Sequence, residues 1–215
     1  MSTPFLPGEP VNPVLDAADP AARRAAAAAV EQGRLIVVPT DTVYGIAARL
    51  DRPAGLAAVF EAKARPSGLA LPVLVSGLDQ ARALALLDER AEALAGAFWP
   101  GALTIVLARS PSLTATIGGD GTSVGLRVPH HPALGLLLAE TGPLATSSAN
   151  ASGRPTPEAI REIQATFGDA VTVYLDGGPA HAGPPSTVVR LTGPEPVLLR
   201  EGGVPFTEIL QVLDG

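Results

Sequence analysis

The 215-residue chain can bury a substantial core as one large domain, and its formal charge of −6 with a pI near 5.0 argues against a protein whose main work is gripping nucleic acid through phosphates. Cysteine is absent, which removes disulfides, thiolate nucleophiles and cysteine metal sites, and three histidines, His130, His131 and His181, leave little for a metal cage. No apolar run approaches the roughly 18 residues needed to cross a bilayer and no basic-then-apolar leader opens the chain, so a cytoplasmic protein with no membrane partner is expected. Residues 1–19 contain several prolines without a period and read as an N-terminal arm; residues 20–215 read as a single domain. Asp19 and Pro20 open an alanine-rich helix that Gly33 stops.

The next stretch, Leu35-Ile36-Val37-Val38-Pro39-Thr40-Asp41-Thr42-Val43-Tyr44-Gly45, organises the rest. Its continuous apolar run has the character of a strand covered on both faces, and proline ends the ladder just before hydroxyls and a carboxylate. A second helix, capped by Asp51, spans 53–64 and delivers Lys63 and Arg65; a strand over 71–75 follows, with Pro72 suggesting an edge or an irregular start. Residues 78–97 have helical spacing, divided near Asp88. Strands are predicted at 103–107, 124–128, 171–175, 187–191 and 196–200, with a short one at 144–145. Helices are predicted at 132–140, 157–167 (capped by Thr156) and 205–213. Residues 146–153 and 176–185 read as loops, the second able to close over a ligand. Interspersed strands and helices make the class α/β with a mixed sheet.

Polar groups recur where strands end: Thr42, Ser148, Asn150, Ser186 and Arg200, with Arg127 inside an apolar strand. In an open α/β sheet such ends gather at a ligand crevice. The plainer alternatives are surface ion pairs for the arginines and a solvated loop for the serines. For Arg127 the apolar strand around it favours function, because a guanidinium there needs an anionic partner. Lys63 is the only lysine against fourteen arginines, and beside Arg65 it suits a polyphosphate, although a solvated helix end carries the same residues. The standard glycine-rich phosphate-binding loops are missing, as is a Ser-His-Asp set, so reaction by positioning two ligands is expected.

PTDTVYGI, KARP, FWPGALT, LRVP, SSANASGRPTP, STVV and LREGG occur in the order and spacing of the YrdC-like L-threonylcarbamoyl-AMP synthases, which the chain resembles from about residue 21 to 203. The resemblance implies a twisted open mixed sheet flanked by helices, with a concave, positively charged cleft, in the short single-domain form. It implies that L-threonine, bicarbonate or CO2, and ATP give L-threonylcarbamoyl-AMP and pyrophosphate, with Mg2+ accompanying ATP. Separate transferase proteins would then place the threonylcarbamoyl group on tRNA beside the anticodon. By the same resemblance Thr42, Arg127, Ser148 and Ser186 bind threonine; Arg65, Ser123, Asn150 and Arg200 bind ATP; and Lys63 with Arg65 stabilises charge on the phosphates. The metal ligands are not assigned, although Asp41 is a candidate contact behind the metal.

The chain departs from the common family pattern at Leu69, Leu74, Pro185 and Arg190. Two rivals stand beside the synthase reading. One is an RNA-binding module, for which weak RNA affinity is the residue if the synthase reading holds. The other is the carbamoyl-transfer chemistry of larger hydrogenase-maturation proteins, which carry zinc-finger cysteines absent here.

Overall fold

A computed structural model describes residues 12–180 and 183–215. Its first strand pair explains the organising stretch. In β2 (Leu35–Val38) all four side chains are buried, and they alternate between two cores: Leu35 and Val37 in one, Ile36 and Val38 in the other. The chain then turns at 39–44 and returns antiparallel as β3 (Gly45–Arg49), pairing Val38 with Gly45 and Ile36 with Ala47.

No strand is expected at 45–49 from sequence, and the composition of that stretch explains why. Glycine and alanine are poor strand formers, and β3 exists because β2 and β7 (Leu144–Ser148) bond to it on either side. Gly45 is required by that packing, since a Cβ there would come within 2.6 Å of Thr146 Cγ2.

The remaining strands are β1 (Val14–Asp16), β4 (Val73–Leu74), β5 (Leu103–Ala108), β6 (Ser123–Arg127), β8 (Val171–Asp176), β9 (Thr187–Arg190) and β10 (Val197–Arg200). One mixed sheet results, in the order β1-β8-β2-β3-β7-β4-β6-β5-β9-β10. Residues 14–16, assigned to the arm by sequence, are thus an edge strand parallel to β8; residues 1–11 of that arm lie outside the described residues. Pro72 marks an irregular start rather than an edge, because the short β4 sits inside the sheet between β7 and β6. β7 is longer than predicted and takes in Thr146 and Ser147, both buried.

The helices are α1 (Pro20–Glu31), α2 (Pro53–Ala62), α3 (Leu78–Leu84), α4 (Glu89–Phe98), α5 (Pro132–Thr141), α6 (Ile160–Phe167) and α7 (Phe206–Asp214). Asp19 and Asp88 cap α1 and α4 as expected, accepting from Ala21 N and Ala91 N. Asp51 does not cap α2, because it is held in ion pairs with Arg49 and Arg52; α6 starts three residues beyond Pro157, and Thr156 caps nothing.

Helices cover the sheet unequally, and this makes the site. Residues of α2, α3, α4, α6 and α7 join the core on one face, which runs from Val171 of β8 to Val189 of β9. The opposite core takes its helical members from α1 and α5 and contains no residue of β5, β6, β9 or β10. Over those strands the second face is open, and side chains alternating onto it include Thr104, Arg127 and, just before β9, Ser186.

Candidate functional site

The open face holds a cavity of about 510 Å3. Thr42, Arg127, Ser148 and Ser186, the residues predicted for the amino acid, all line it, as do Arg65, Asn150 and Arg200 of the predicted nucleotide set. Ser123 does not; it stands at the opposite end of β6 from Arg127, paired with Ala108. A larger cavity of about 800 Å3 lies against α2 and the 112–118 segment, lined mainly by apolar groups and by none of the candidate residues.

Arg127 is almost fully buried, and three of its nitrogens are held. Nε donates to Gly101 O at 2.9 Å, Nη1 to Thr42 Oγ1 at 2.9 Å and Nη2 to Asp41 Oδ1 at 2.7 Å. The anionic partner expected from a ligand is therefore already supplied from within the chain. Asp41, considered from sequence as a contact behind a metal, is committed to this ion pair. Burial pushes the Arg127 guanidinium down while Asp41 raises it again.

The turn carrying Asp41 and Thr42 is set by Thr40, whose Oγ1 accepts from Thr42 N and Val43 N and donates to Val43 O at 2.6 Å. Gly101 belongs to the FWPGALT stretch. Trp99 Nε1 donates to Leu103 O and Gly101 N to Val128 O, which fixes the carbonyl that Arg127 uses.

Lys63, at the C-terminal cap of α2, is not in the cavity lining. Its ammonium donates to Ser148 O and Asn150 O, both at 2.6 Å, and to Asn150 Oδ1 at 2.8 Å. All three hydrogens are thus committed to the turn that presents Ser148 and Asn150, whereas the sequence reading placed this group against phosphates. Arg65, two residues on, bonds Leu69 O and Ala70 O from the cavity wall.

Burial, and then the neighbouring positive Arg65, push the Lys63 ammonium from its ordinary 10.5 down to about 8. A neutral amine cannot make all three bonds, so activity is expected to fall above pH 8 by about tenfold per pH unit at the limit. Stability moves the other way. The unfolded lysine keeps its proton up to 10.5, so between 8 and 10.5 the unfolded chain binds more protons and this group makes folding more favourable as pH rises. A pH–rate profile flat from 7 to 9.5 would contradict this role for Lys63.

Two further groups complete the cavity. Ser186 Oγ lies 2.9 Å from Thr104 Oγ1, and Arg200 holds Ser186 through its carbonyl, at 3.1 Å from Nε and 2.8 Å from Nη2. Thr104, the single polar residue of the β5 run LTIVLA, and Arg154 also line the cavity, and neither is among the residues expected from sequence. Gly202 allows the chain after Arg200 to lie against residues 185–187, because a Cβ there would collide with Pro185 O. Leu74, one of the positions where the chain departs from the family pattern, leaves one wall apolar.

Among the described residues, the lining carries Arg65, Arg127, Arg154 and Arg200 and no carboxylate, and of these only Arg127 is in an ion pair. Cations without acidic partners in a concave, partly dry site suit a polyanion, and arginine forks suit carboxylate and phosphate. Fold and site together define an α/β protein with an arginine-lined cleft on the uncovered half of a mixed sheet.

A family model for the Sua5/YciO/YrdC domain, described as telomere recombination, matches residues 28–202. A putative threonylcarbamoyl-AMP synthase of Mycobacterium tuberculosis is 42% identical over 203 residues, covering 92% of this chain and 94% of that protein. The threonylcarbamoyl-AMP synthase of Pyrococcus abyssi is 39% identical over 192 residues, 88% of this chain and 56% of that longer protein. The crystal structure of P. abyssi Sua5 complexed with L-threonine superimposes with a TM-score of 0.84 at 39% identity, covering 89% of this chain and 57% of that one. The chain belongs to the Sua5/YciO/YrdC family.

Proposed function

We propose that this chain is an L-threonylcarbamoyl-AMP synthase, forming that product and pyrophosphate from L-threonine, bicarbonate or CO2, and ATP. The observation that carries the reading is a single cavity that joins a hydroxyl-and-guanidinium end, Thr42 and Arg127, to arginines with no acidic partner, Arg65 and Arg200, with no carboxylate among its described lining residues. Similarity to synthases of the same name, and to a protein whose structure holds L-threonine, supports it.

A guanidinium has five N–H groups, and Arg127 spends three within the protein, which leaves two for the threonine carboxylate. Thr42, Ser148 and Ser186 orient the rest of the amino acid. The free amine forms an N–C bond to CO2 and releases a proton to solvent. A carbamate oxygen then bonds to the α-phosphorus as the bond to the β-phosphate oxygen breaks. Arg65 and Arg200 stabilise charge on the phosphates, and no covalent enzyme intermediate is needed.

No three of His, Cys, Asp and Glu gather among the described residues to hold a metal, and Asp41 is committed to Arg127. Mg2+ enters with the phosphates of ATP as part of the substrate. Transfer to tRNA falls to separate proteins, direct RNA affinity is weak, and the reaction is cytoplasmic. No helix of the described residues is long and apolar enough to cross a membrane.

Purified protein with ATP and Mg2+ should release pyrophosphate only when threonine and bicarbonate are both present, without RNA. Serine should be the poorer substrate, since one missing methyl in a fitted pocket removes about 1–3 kcal/mol. Release indifferent to threonine would contradict the synthase reading, and salt-sensitive RNA binding with no release would favour the RNA-binding rival.

A further inference from the structure

Asp41 carries a charge that the proposed chemistry does not itself require. It lies outside the cavity lining, and its side chain is only 15% exposed. One oxygen, Oδ1, accepts from both Arg127 Nη2 at 2.7 Å and His130 N at 3.1 Å. The acceptor is therefore held by two donors at once, the guanidinium at the end of β6 and the backbone N–H just beyond that strand.

Its neighbour Thr42 takes Nη1 of the same guanidinium, and Gly101 O takes Nε. Three acceptors from two separate turns thus hold three different nitrogens of one planar group, which leaves it a single orientation. Arg127 lines the cavity and Asp41 does not, so the carboxylate grips the guanidinium from behind and leaves the substrate's side open.

We infer that Asp41 is a positioning residue for the amino-acid substrate: it fixes Arg127 so that the two remaining N–H groups present a fork to the α-carboxylate. This rests on the synthase reading for the identity of the substrate. Asp41 also balances a buried charge that has no other acidic partner among the described residues. A carboxylate that instead competed with threonine for Arg127 would have to approach from the cavity, and its removal would tighten threonine binding.

The two possibilities separate in the full-length protein. Threonine binding is measured by calorimetry, and the KM values for threonine and ATP by pyrophosphate release, for wild type, Asp41→Ala and Asp41→Asn. Alanine should raise both the Kd and the KM for threonine about tenfold or more and leave the KM for ATP within about twofold. Asparagine, which keeps an oxygen acceptor in the same place, should stay within about threefold of wild type for threonine. If the alanine variant does not fold, Asp41→Ser, whose hydroxyl is too short to reach Nη2, should show the same split.

An unchanged or tighter threonine Kd in Asp41→Ala, equal losses for threonine and ATP, or an asparagine variant no better than alanine would each overturn the inference. The binding arm keeps the two claims apart. Wild type that binds threonine without releasing pyrophosphate counts against the synthase reading alone, and equal threonine affinity with and without Asp41 counts against this inference alone.

Discussion

Replacing Arg127 by alanine is expected to lower kcat/KM for threonine by about 10²–10³, while the KM for ATP stays within a few-fold of wild type. Among the described cavity cations, this guanidinium is the one held through three different nitrogens by three different residues, and its free N–H groups are the amino acid's only fixed anion receptor in this account. The variant also removes the charge partner of Asp41, which keeps only the His130 N–H, and a donor to the Gly101 carbonyl, so stability should fall by about 1–3 kcal/mol for each group left unsatisfied. Arg127→Lys provides the control for charge alone. An ammonium cannot reach three acceptors spread around a planar fork and still meet a carboxylate bidentately, so lysine should recover little of the threonine use. Equal damage to ATP and threonine affinity would assign this arginine to the wrong ligand.

Lys63→Arg should be almost as harmful, despite the retained charge. The three oxygens around the ammonium converge at 2.6 Å, 2.6 Å and 2.8 Å, a geometry that suits a compact tetrahedral donor. A guanidinium is planar and larger, and would push the 148–150 turn out of place. Ser148 and Asn150 would move with it, and a displacement of about 1 Å in positioning groups costs about 10² in rate. Losses are expected for threonine and ATP together, because the turn serves both ends of the cavity. That joint loss distinguishes Lys63→Arg from the substitution at Arg127. Activity unchanged by this swap would contradict the role given to the compact ammonium in holding the 148–150 turn.

Legibility in the sequence followed the range of the interactions. β2 and the turn after it could be read because one apolar run, one proline and two hydroxyl residues are contiguous. β3 could not, since Gly-Ile-Ala-Ala-Arg becomes a strand only between the ladders of β2 and β7. The positions of Thr42, Arg127, Ser148, Ser186 and Arg200 were readable as polar groups at strand ends, and the cavity gathers them. Their partners were not. Asp41 meets Arg127 across 86 positions, and Lys63 meets the 148–150 turn across 85 and 87, pairings that only the sheet order brings about. Thr104 had a local signal, a lone hydroxyl in an apolar strand, but its meaning came from Ser186, 82 positions away.

The central claim is that one cavity brings an amino acid, a carbon source and ATP together, and the product tests it most directly. Purified wild-type protein would be incubated with ATP, Mg2+, L-threonine and 13C-labelled bicarbonate, and the nucleotide products separated for mass spectrometry. The account predicts an AMP adduct of threonine that contains the carbamoyl carbon, heavier by one mass unit with labelled than with unlabelled bicarbonate, and formed in step with pyrophosphate. Pyrophosphate release accompanied only by AMP or an unlabelled threonyl adduct, or no adduct at all, would contradict it.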